Sequence, residues 1–336
     1  MSKMIPEQSL FQFIWKYLRE NHQEILRSPL LPVVISVSTY FILCLFYGTL
    51  DSLCSMVSWI NKYRIHSDRP VKLQSVLKAV GLTLRNHVVF VFPASVAQWY
   101  WRPPLPLEEA APTVTEFTIG MLGCLLLFDF QYFLWHLAHH RSQWLYVTFH
   151  AIHHEYPQPF CWVTQYMSAW ELVSVGFWTT VDPVLLRCHT LTGYAFMVFN
   201  IWVSVDDHSG YDFPWSLHNL VPFGLWGGSV KHDTHHQRPK TNFQPFFSHW
   251  DWLCGTSSQH SHSPAMVAKL HRRLVRRWTV VTIRRRQRDG RLVTIPLATR
   301  RRLVTIPGNA TALGDDPAGN ATALGDDPLA TRRALW

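Results

Sequence analysis

The stretch WHLAHHRSQWLYVTFHAIHH, residues 135–154, places six histidines in twenty positions. It contains the pattern His-x-x-His-His twice, as HLAHH at residues 136–140 and as HAIHH at residues 150–154. A third copy, HDTHH, follows at residues 232–236. Three copies among 19 histidines are not explained by composition, so these boxes are the first candidates for a functional site.

The chain around the boxes has the composition of a membrane protein. It has 336 residues, of which 48% are hydrophobic and only 16% are charged, a low share for a soluble protein. Three windows are long and apolar enough to cross a bilayer: Leu30 to Leu50, Val80 to Trp101 and Phe117 to Leu137. A further apolar stretch, Trp170 to Val205, could form a helical hairpin but is interrupted by Asp182, Pro183 and Arg187. The sequence predicts an all-α, polytopic membrane helical bundle with a cytosol-facing helical cap that carries the histidine boxes.

Three regions are expected along the chain. Residues 1–28 form an N-terminal segment whose helix has Phe11, Ile14, Trp15 and Leu18 on one face, as an interfacial helix or one packed on the protein would. Residues 29–262 form the membrane-embedded catalytic domain. Residues 263–336 are expected to be a disordered tail, because RLVTIP and GNATALGDDP each occur twice there without an apolar periodicity.

The basic charge belongs to that tail. From Ala265 onward there are 15 Lys and Arg against 5 Asp and Glu, a balance of +10, while the whole chain carries +9. The rest of the chain is therefore close to neutral, which argues against a nucleic-acid partner. The tail clusters either contact anionic lipid or are solvated.

The spacing of the boxes favours a metal centre. On a helix, residues at i, i+3 and i+4 lie within an arc of about 100°, so each box is expected to direct three imidazoles to one place. Imidazole is a ligand for Zn, Cu, Fe and Ni. Nine or more histidines can hold two ions, and the boxes contain none of the Glu ligands of soluble di-iron bundles. The six cysteines form no C-x-x-C pair and are read as small buried residues.

Several motifs carry a resemblance to a known family. LLLFDFQYFLWHLAHH, QYMSAWELVSVGF, VSVDDHSGYDFPWSLHNLVPFG and HDTHH are similar to segments of the membrane-bound fatty acid hydroxylase and sterol desaturase superfamily, over roughly Leu30 to Thr256. The resemblance implies a non-haem di-iron centre held by three histidine boxes. The implied ligands are His136, His140, His150, His153, His154, His232, His235 and His236, with the isolated His208 of DDHSGY.

The sequence indicates the other histidines less strongly as metal ligands. His139, the extra member of the first box, could be a ligand, a hydrogen-bond partner of a ligand or a bystander, and spacing does not choose among these. His218 is a further, weaker candidate. Structural roles are expected for His189, His249, His260 and His262.

Two carboxylates are expected to support ligands. Asp129 lies seven residues before His136 on the same helix face, inside an apolar span where a bare carboxylate is costly. We expect it to accept the second ring N–H of a ligand, the alternative being a bond to a neighbouring helix. Asp233 could act in the same way or lie exposed on its helix.

The resemblance implies an oxidoreductase, a monooxygenase that hydroxylates a sterol. The expected substrate is cholesterol, at carbon 25, and the expected cofactors are two ferrous ions and O₂. Electrons from NADPH would arrive through cytochrome b5 or a reductase, because the chain shows no Rossmann or flavin fingerprint. A C4-methylsterol oxidase, a lipid desaturase or hydroxylase with the same metals, and a non-catalytic metal- or sterol-binding protein stay open as alternatives.

The expected location is the endoplasmic reticulum membrane, with several crossings and a cytosolic active site. Lys62, Arg64, Arg69 and Lys72 follow the first span and favour the cytosol for that loop. Two further crossings bring His136 to the same side. The N-terminal Lys3, Lys16, Arg19 and Arg27 favour the opposite orientation.

Overall fold

The computed structural model of the chain describes residues 10–54, 56–101, 107–258, 284–286 and 292–294. The chain divides into two units, Met1–Leu274 and Val275–Trp336. Within the second, two three-residue strands, Arg284–Arg286 and Leu292–Thr294, pair antiparallel. The first unit consists of helices and connecting segments in its described parts, which confirms the predicted all-α class. Leu292–Thr294 belongs to the first RLVTIP copy, so this part of the expected disordered tail forms a strand. The second RLVTIP copy and both GNATALGDDP copies lie outside the described residues.

The predicted spans are confirmed. Among the described residues, three helical stretches have the length and composition to cross a membrane: Leu30–Leu53, Leu73–Ala97 and Val114–Arg141. The first is helix α3, preceded by α1 (Leu10–Asn21) and α2 (Gln23–Arg27) and followed by the short α4 (Ser58–Asn61). The second joins α5 (Leu73–Asn86) through a π-helical turn, His87–Val91, to α6 (Phe92–Trp101). The third is α7 (Val114–Arg141).

Helix α7 is defined at its start by a capping box. The Thr113 hydroxyl accepts from the Glu116 backbone N–H at 3.1 Å, and the Glu116 carboxylate accepts from the Thr113 N–H at 2.9 Å. These bonds satisfy backbone donors that the first helical turn leaves free. From there the helix runs for 28 residues and delivers the first histidine box in its last two turns.

The predicted hairpin is present. After α8 (Gln143–Leu145) the chain forms α9 (Ala169–Leu185) and α10 (Thr190–Asp207), with Pro183 in the last turn of α9 and Arg187 in the turn at φ 54°. His189 Nε2 donates to the Ala110 carbonyl at 2.9 Å, just before the start of α7. Because α10 then ends at Asp207, beside His208, the hairpin runs the length of α7 and returns to the histidine end.

Helix α1 packs on the protein along one side and exposes apolar residues on the other. Trp15 is fully buried, and its indole N–H donates to the Glu108 carbonyl at 2.8 Å. Phe13 and Tyr17 are exposed, at 70% and 53%. The helix therefore packs on the protein near the start of α7 and still leaves apolar surface outside.

The histidine end is covered by short elements rather than long helices. They are a π turn at Tyr146–His150, 3-10 turns at His153–Glu155, Cys161–Val163 and Pro222–Gly224, and helices α11 (Leu217–Leu220), α12 (Gly228–Gln237) and α13 (His249–Cys254). Loop 62–72 joins this cap through Ile65 N–H to the Gly210 carbonyl and Asp212 N–H to the Tyr63 carbonyl, at 2.9 and 2.8 Å. The loop that follows the first span therefore lies on the histidine side.

All six cysteines are free thiols in this fold. Cys44, Cys54, Cys124 and Cys161 are buried, as predicted for small apolar residues. The prediction was wrong for Cys254, which is exposed, and Cys188 is only partly buried.

Candidate metal centre

The end of α7 brings the first box to the inside of the cap. His136 and His140 are one helical turn apart, and their Nε2 atoms lie 3.2 Å from each other. His136 is 1% exposed. The helix ends one residue after His140, and the Ser142 side chain caps the next turn by accepting from Leu145 N–H.

The second box does not lie on a regular helix. His150 ends the π turn, and His153 and His154 begin a 3-10 turn after two intervening residues. Adjacent residues of a 3-10 turn lie about 120° apart around its axis, because it has three residues per turn. His153 and His154 consequently face different groups of histidines.

Five histidines form the first group, which we name cluster A. They are His136, His140, His150, His154 and His235. The Nε2 atom of His150 lies 3.1, 3.0 and 3.1 Å from those of His136, His140 and His154. His235 Nε2 completes the group at 3.2 Å from His154 Nε2.

Four histidines form the second group, cluster B. They are His153, His208, His232 and His236. His208 Nε2 lies 3.2 Å from that of His153 and 2.9 Å from that of His232. His236 Nε2 is 3.2 Å from His232 Nε2. The two clusters together contain all nine histidines that the resemblance implied as ligands.

The expectation that each box directs three imidazoles to one place was wrong. The second box gives His150 and His154 to cluster A and His153 to cluster B. The third box, on α12, gives His235 to cluster A and His232 and His236 to cluster B. An arc of about 100° is wide enough for one helix to face two neighbouring sites.

The outward ring nitrogens show which way the imidazoles are oriented. Nδ1 lies at hydrogen-bond distance from an oxygen acceptor in six of the nine rings: from Phe243 O for His136, Glu171 Oε2 for His150, Tyr166 O for His153, Ser204 O for His208, Thr241 O for His235 and Tyr156 O for His236. In five of these rings the acceptor is a backbone carbonyl, which cannot donate, so Nδ1 must carry the proton. In a neutral ring Nε2 is then a bare lone pair.

These lone pairs point at one another, which indicates what the clusters can hold. Nitrogen atoms about 3 Å apart without a proton between them repel, whereas a cation between them would be bound by each. Two ligand nitrogens at about 2.1 Å from one ion lie about 3 Å apart when they are adjacent in its coordination sphere. The donor set therefore fits one metal ion in each cluster.

Burial keeps the cap histidines neutral. It lowers the pKa of His153 to about 4 and the pKa of His235 to about 3. It also lowers the pKa of His232 and His236 well below the usual value, and neighbouring imidazoles add to the effect. Neutral imidazole is the form that binds metal, so the ligands need not lose a proton at neutral pH.

Glu171 is a candidate site residue that the sequence did not indicate. It lies in the first turn of α9, whose Ser168 cap accepts from the Glu171 backbone N–H at 3.1 Å. Its side chain is fully buried, and Oε2 is 3.0 Å from Nδ1 of His150. A carboxylate behind a ligand histidine orients the ring and raises its basicity. The signal available was a lone acidic residue near the start of an apolar helix.

Asp129 does not accept from a ligand, and that expectation was wrong. Its Oδ1 accepts from the backbone N–H groups of Phe246 and Phe247, at 2.9 and 3.0 Å. Asp251 accepts in the same way from Phe243 N–H at 3.0 Å. The two carboxylates anchor the segment that presents the Phe243 carbonyl to His136, so Asp129 acts on the backbone.

Asp233 also differs from expectation. It is 3% exposed on α12, and its Oδ1 lies 2.8 Å from Nε2 of His66 while Gln237 Nε2 donates to its Oδ2 at 2.6 Å. Neither partner belongs to a cluster. Asp233 therefore ties α12 to the loop after the first span.

The remaining described histidines lie outside both clusters. His139 Nδ1 is 2.7 Å from the Trp135 carbonyl, and its ring stacks on Trp135. His218 contacts Asp212 at 2.9 Å and closely approaches Gly228, where a Cβ would come within 2.2 Å of its ring. His189 bonds the Ala110 carbonyl, and His249 packs on Trp250. His260 and His262 lie outside the described residues.

A cavity of about 650 Å³ opens against cluster B. His153, His208 and His232 form one end of it, whereas none of the five histidines of cluster A is among its lining residues in the described part of the chain. Helix α9 lines it from Leu172 to Val181 and α10 from Met197 to Asp207. At a rise of 1.5 Å per residue these segments are about 13 to 15 Å long.

The wall of the cavity is mainly apolar, and six helices contribute to it, among them α12 through His232. Besides α9 and α10, it includes Pro32 and Val33 of α3, Ala94 of α6 and Phe128 of α7. Polar groups line it at both ends, and those beside the histidines include Asp207, which is 5% exposed and has an oxygen without a hydrogen-bond partner. An elongated apolar molecule would fit with one end at cluster B.

A family model and curated relatives both match this chain. The model described as fatty acid hydroxylase matches residues 121–256, the range that contains both clusters. Cholesterol 25-hydroxylase-like protein 2 of Danio rerio is 60% identical over 254 residues, which are 76% of this chain and 91% of the relative.

More distant relatives carry related names. Cholesterol 25-hydroxylase of Homo sapiens is 48% identical over 249 residues, 74% of this chain and 91% of the relative. A cholesterol 25-hydroxylase-like protein of Caenorhabditis elegans is 33% identical over 72% of this chain and 80% of the relative. No solved structure matches the chain.

Proposed function

The chain belongs to the fatty acid hydroxylase family as a cholesterol 25-hydroxylase-like member, and on that premise we propose that it is a di-iron membrane monooxygenase that hydroxylates the side chain of cholesterol at carbon 25. The family identifies an oxidoreductase of sterol or lipid metabolism. Iron as the metal, carbon 25 as the site of oxidation and the electron donor are proposals. The observation that carries them is the apolar cavity that ends at cluster B.

The nine clustered histidines are proposed as ligands, five around one iron and four around the other. Iron suits imidazole and allows open positions, which a structural zinc site would not need. When bound with O₂, two ferrous ions supply an oxidant for an unactivated C–H bond. The ion in cluster B is proposed to be the one nearer to the substrate, because three of the four histidines of that cluster line the cavity.

The protein's own contribution is placement and exclusion of water. The cavity lies within the size range of small-molecule sites and is lined mainly by apolar side chains. A sterol could lie along α9 and α10 with its flexible side chain at His153, His208 and His232. Its rings would occupy the part between α3 and α6. This orientation presents carbon atoms at the tail end of the sterol to the reaction.

The reaction needs two electrons and two protons besides O₂, because one oxygen atom enters the alcohol and the other leaves as water. We propose NADPH as the source, through cytochrome b5 or a reductase. The proposed location is the endoplasmic reticulum membrane with the clusters on the cytosolic side. Lys62, Arg69 and Lys72 support this, since their loop is on the side of the clusters.

Sterol mass spectrometry of cells expressing the chain tests the proposal. Cells given labelled cholesterol should gain labelled 25-hydroxycholesterol, and cells expressing the His153→Gln/His154→Gln variant should not, although the variant still inserts in the membrane. Oxidation of a C4-methyl group or of an acyl chain, without side-chain hydroxylation, would support an oxygenase activity. It would refute the assignment of the cholesterol side chain as the substrate. If the double variant formed as much product as the unmodified chain, these two histidines would not be required for catalysis.

A further inference from the structure

A second recess lies on the histidine side of the molecule. It has a volume of about 410 Å³ and is lined by Arg64, His66, Arg69, Lys72, Tyr156 and Phe160, among other residues. We name it the basic recess. It shares no lining residue with the apolar cavity. The proposed hydroxylation does not use it.

The basic recess backs directly onto cluster B. Tyr156 lines the recess, and its carbonyl lies 3.2 Å from Nδ1 of His236. His66, on another wall, contacts Asp233 of α12 at 2.8 Å, between His232 and His236 in the chain. One residue therefore separates the recess from a proposed iron ligand.

The surface around the recess carries an excess of positive charge. On the histidine side, the described part of the chain has seven exposed cations: Lys62, Arg69, Lys72, Lys78, Arg141, Arg238 and Lys240. The exposed acids there are two, Asp68, which also lines the recess and lies 3.7 Å from Arg69, and Glu155, which is paired with Lys78, so the cations remain in excess. Arg64 is fixed in place by Asp51 at 3.5 Å and by the Arg69 carbonyl at 3.2 Å. An anionic surface would be attracted to this face.

We propose that the basic recess is the docking site of an acidic one-electron donor protein, which reduces the metal centre through Tyr156 and His236. This inference rests on the proposed function, because only an oxygenase without its own redox cofactor needs such a donor. Each turnover would oxidise two donor molecules by one electron each, and the two protons that complete water come from solvent. The short path to cluster B favours a redox protein over a lipid headgroup as the occupant.

Binding of the soluble haem domain of cytochrome b5 tests the site. The probe is titrated onto the full chain in neutral phosphatidylcholine nanodiscs at low and at moderate salt. Reversing two exposed charges, Arg69→Glu/Lys72→Glu, should weaken binding at least tenfold and reduce its dependence on salt. The matched control is Lys16→Glu/Arg187→Glu, which reverses two exposed cations at the opposite end and should bind as the unmodified chain does.

The outcomes of this experiment distinguish a failure of the docking inference from a failure of the proposed function. An unchanged iron content in the recess variant shows that its centre is intact, so that lost binding is a surface effect. Equal binding by the recess variant and the unmodified chain overturns the inference. A loss that appears only in nanodiscs with phosphatidylserine assigns the recess to lipid and also overturns it. If the unmodified chain binds the probe but dithionite and O₂ yield no sterol product, the proposed function fails while the docking site stands.

Discussion

Nδ1 of His150 lies 3.0 Å from Oε2 of Glu171, and both side chains are fully buried. His150 is in the cap and Glu171 is in the first turn of α9, the helix that also lines the apolar cavity. The contact therefore links the orientation of a cluster A imidazole to the position of the substrate helix. When Glu171 is ionised, Nδ1 donates to it and Nε2 is free to bind metal.

Removing this carboxylate should weaken the binding of metal by cluster A. Glu171→Ala is expected to lower the metal affinity of cluster A about 10- to 100-fold, because the ring loses the acceptor that orients it. Glu171→Gln keeps an oxygen acceptor and should lose less. Chelator competition followed by metal analysis measures both. Glu109→Ala, an exposed change near the other end, is the control. Equal metal retention in all three variants would show that Glu171 only packs.

Substitutions of two adjacent histidines on α12 should each remove a different metal ion. His235 belongs to cluster A and His236 to cluster B. The unmodified chain is expected to contain about two metal ions, and His235→Gln and His236→Gln should each retain about one, since each loses one ligand set. Metal analysis of purified protein gives the stoichiometry, and spectroscopy of the retained ion should differ between the two variants. About one ion in the fully active unmodified chain would contradict the two-site arrangement.

Filling the apolar cavity should exclude the sterol without unfolding the chain. Gly176 lines the cavity on α9, and a Cβ added there meets no atom within 4 Å. Gly176→Leu is therefore expected to raise KM for cholesterol or abolish turnover while metal content and thermal stability are kept. Gly81→Leu, on α5, meets equally open space but does not line the cavity. Similar sterol turnover by both variants would place the substrate elsewhere.

Deleting the tail should leave the chemistry intact. The family match ends at residue 256, and both clusters and the cavity lie before it. A chain ending after Ser263 is expected to keep its metal and most of its sterol hydroxylation, with weaker membrane retention if the basic clusters contact anionic lipid. Activity per metal-loaded protein and carbonate extraction measure these effects. Loss of metal on truncation would place part of the catalytic domain beyond residue 263.

The sequence by itself determined the features that depend on neighbouring residues. Hydropathy over about twenty residues located the three spans, because each must match the thickness of a bilayer. The interruption at Pro183 and Arg187 marked the hairpin turn, and the repeated boxes supplied eight of the nine histidines that the fold gathers, the ninth being the isolated His208. These are local signals, and a single stretch of chain is enough to read them.

Only the tertiary structure decided how these features combine. His136 and His235 are about a hundred residues apart in the chain, yet their ring centroids are 4.4 Å apart in cluster A. The division of boxes between two clusters, the Glu171 contact and the backbone role of Asp129 all depend on such distant segments meeting. Helical periodicity fixes the face on which a side chain lies, but not the partner that packs against it. That partner is set by the packing of the whole bundle.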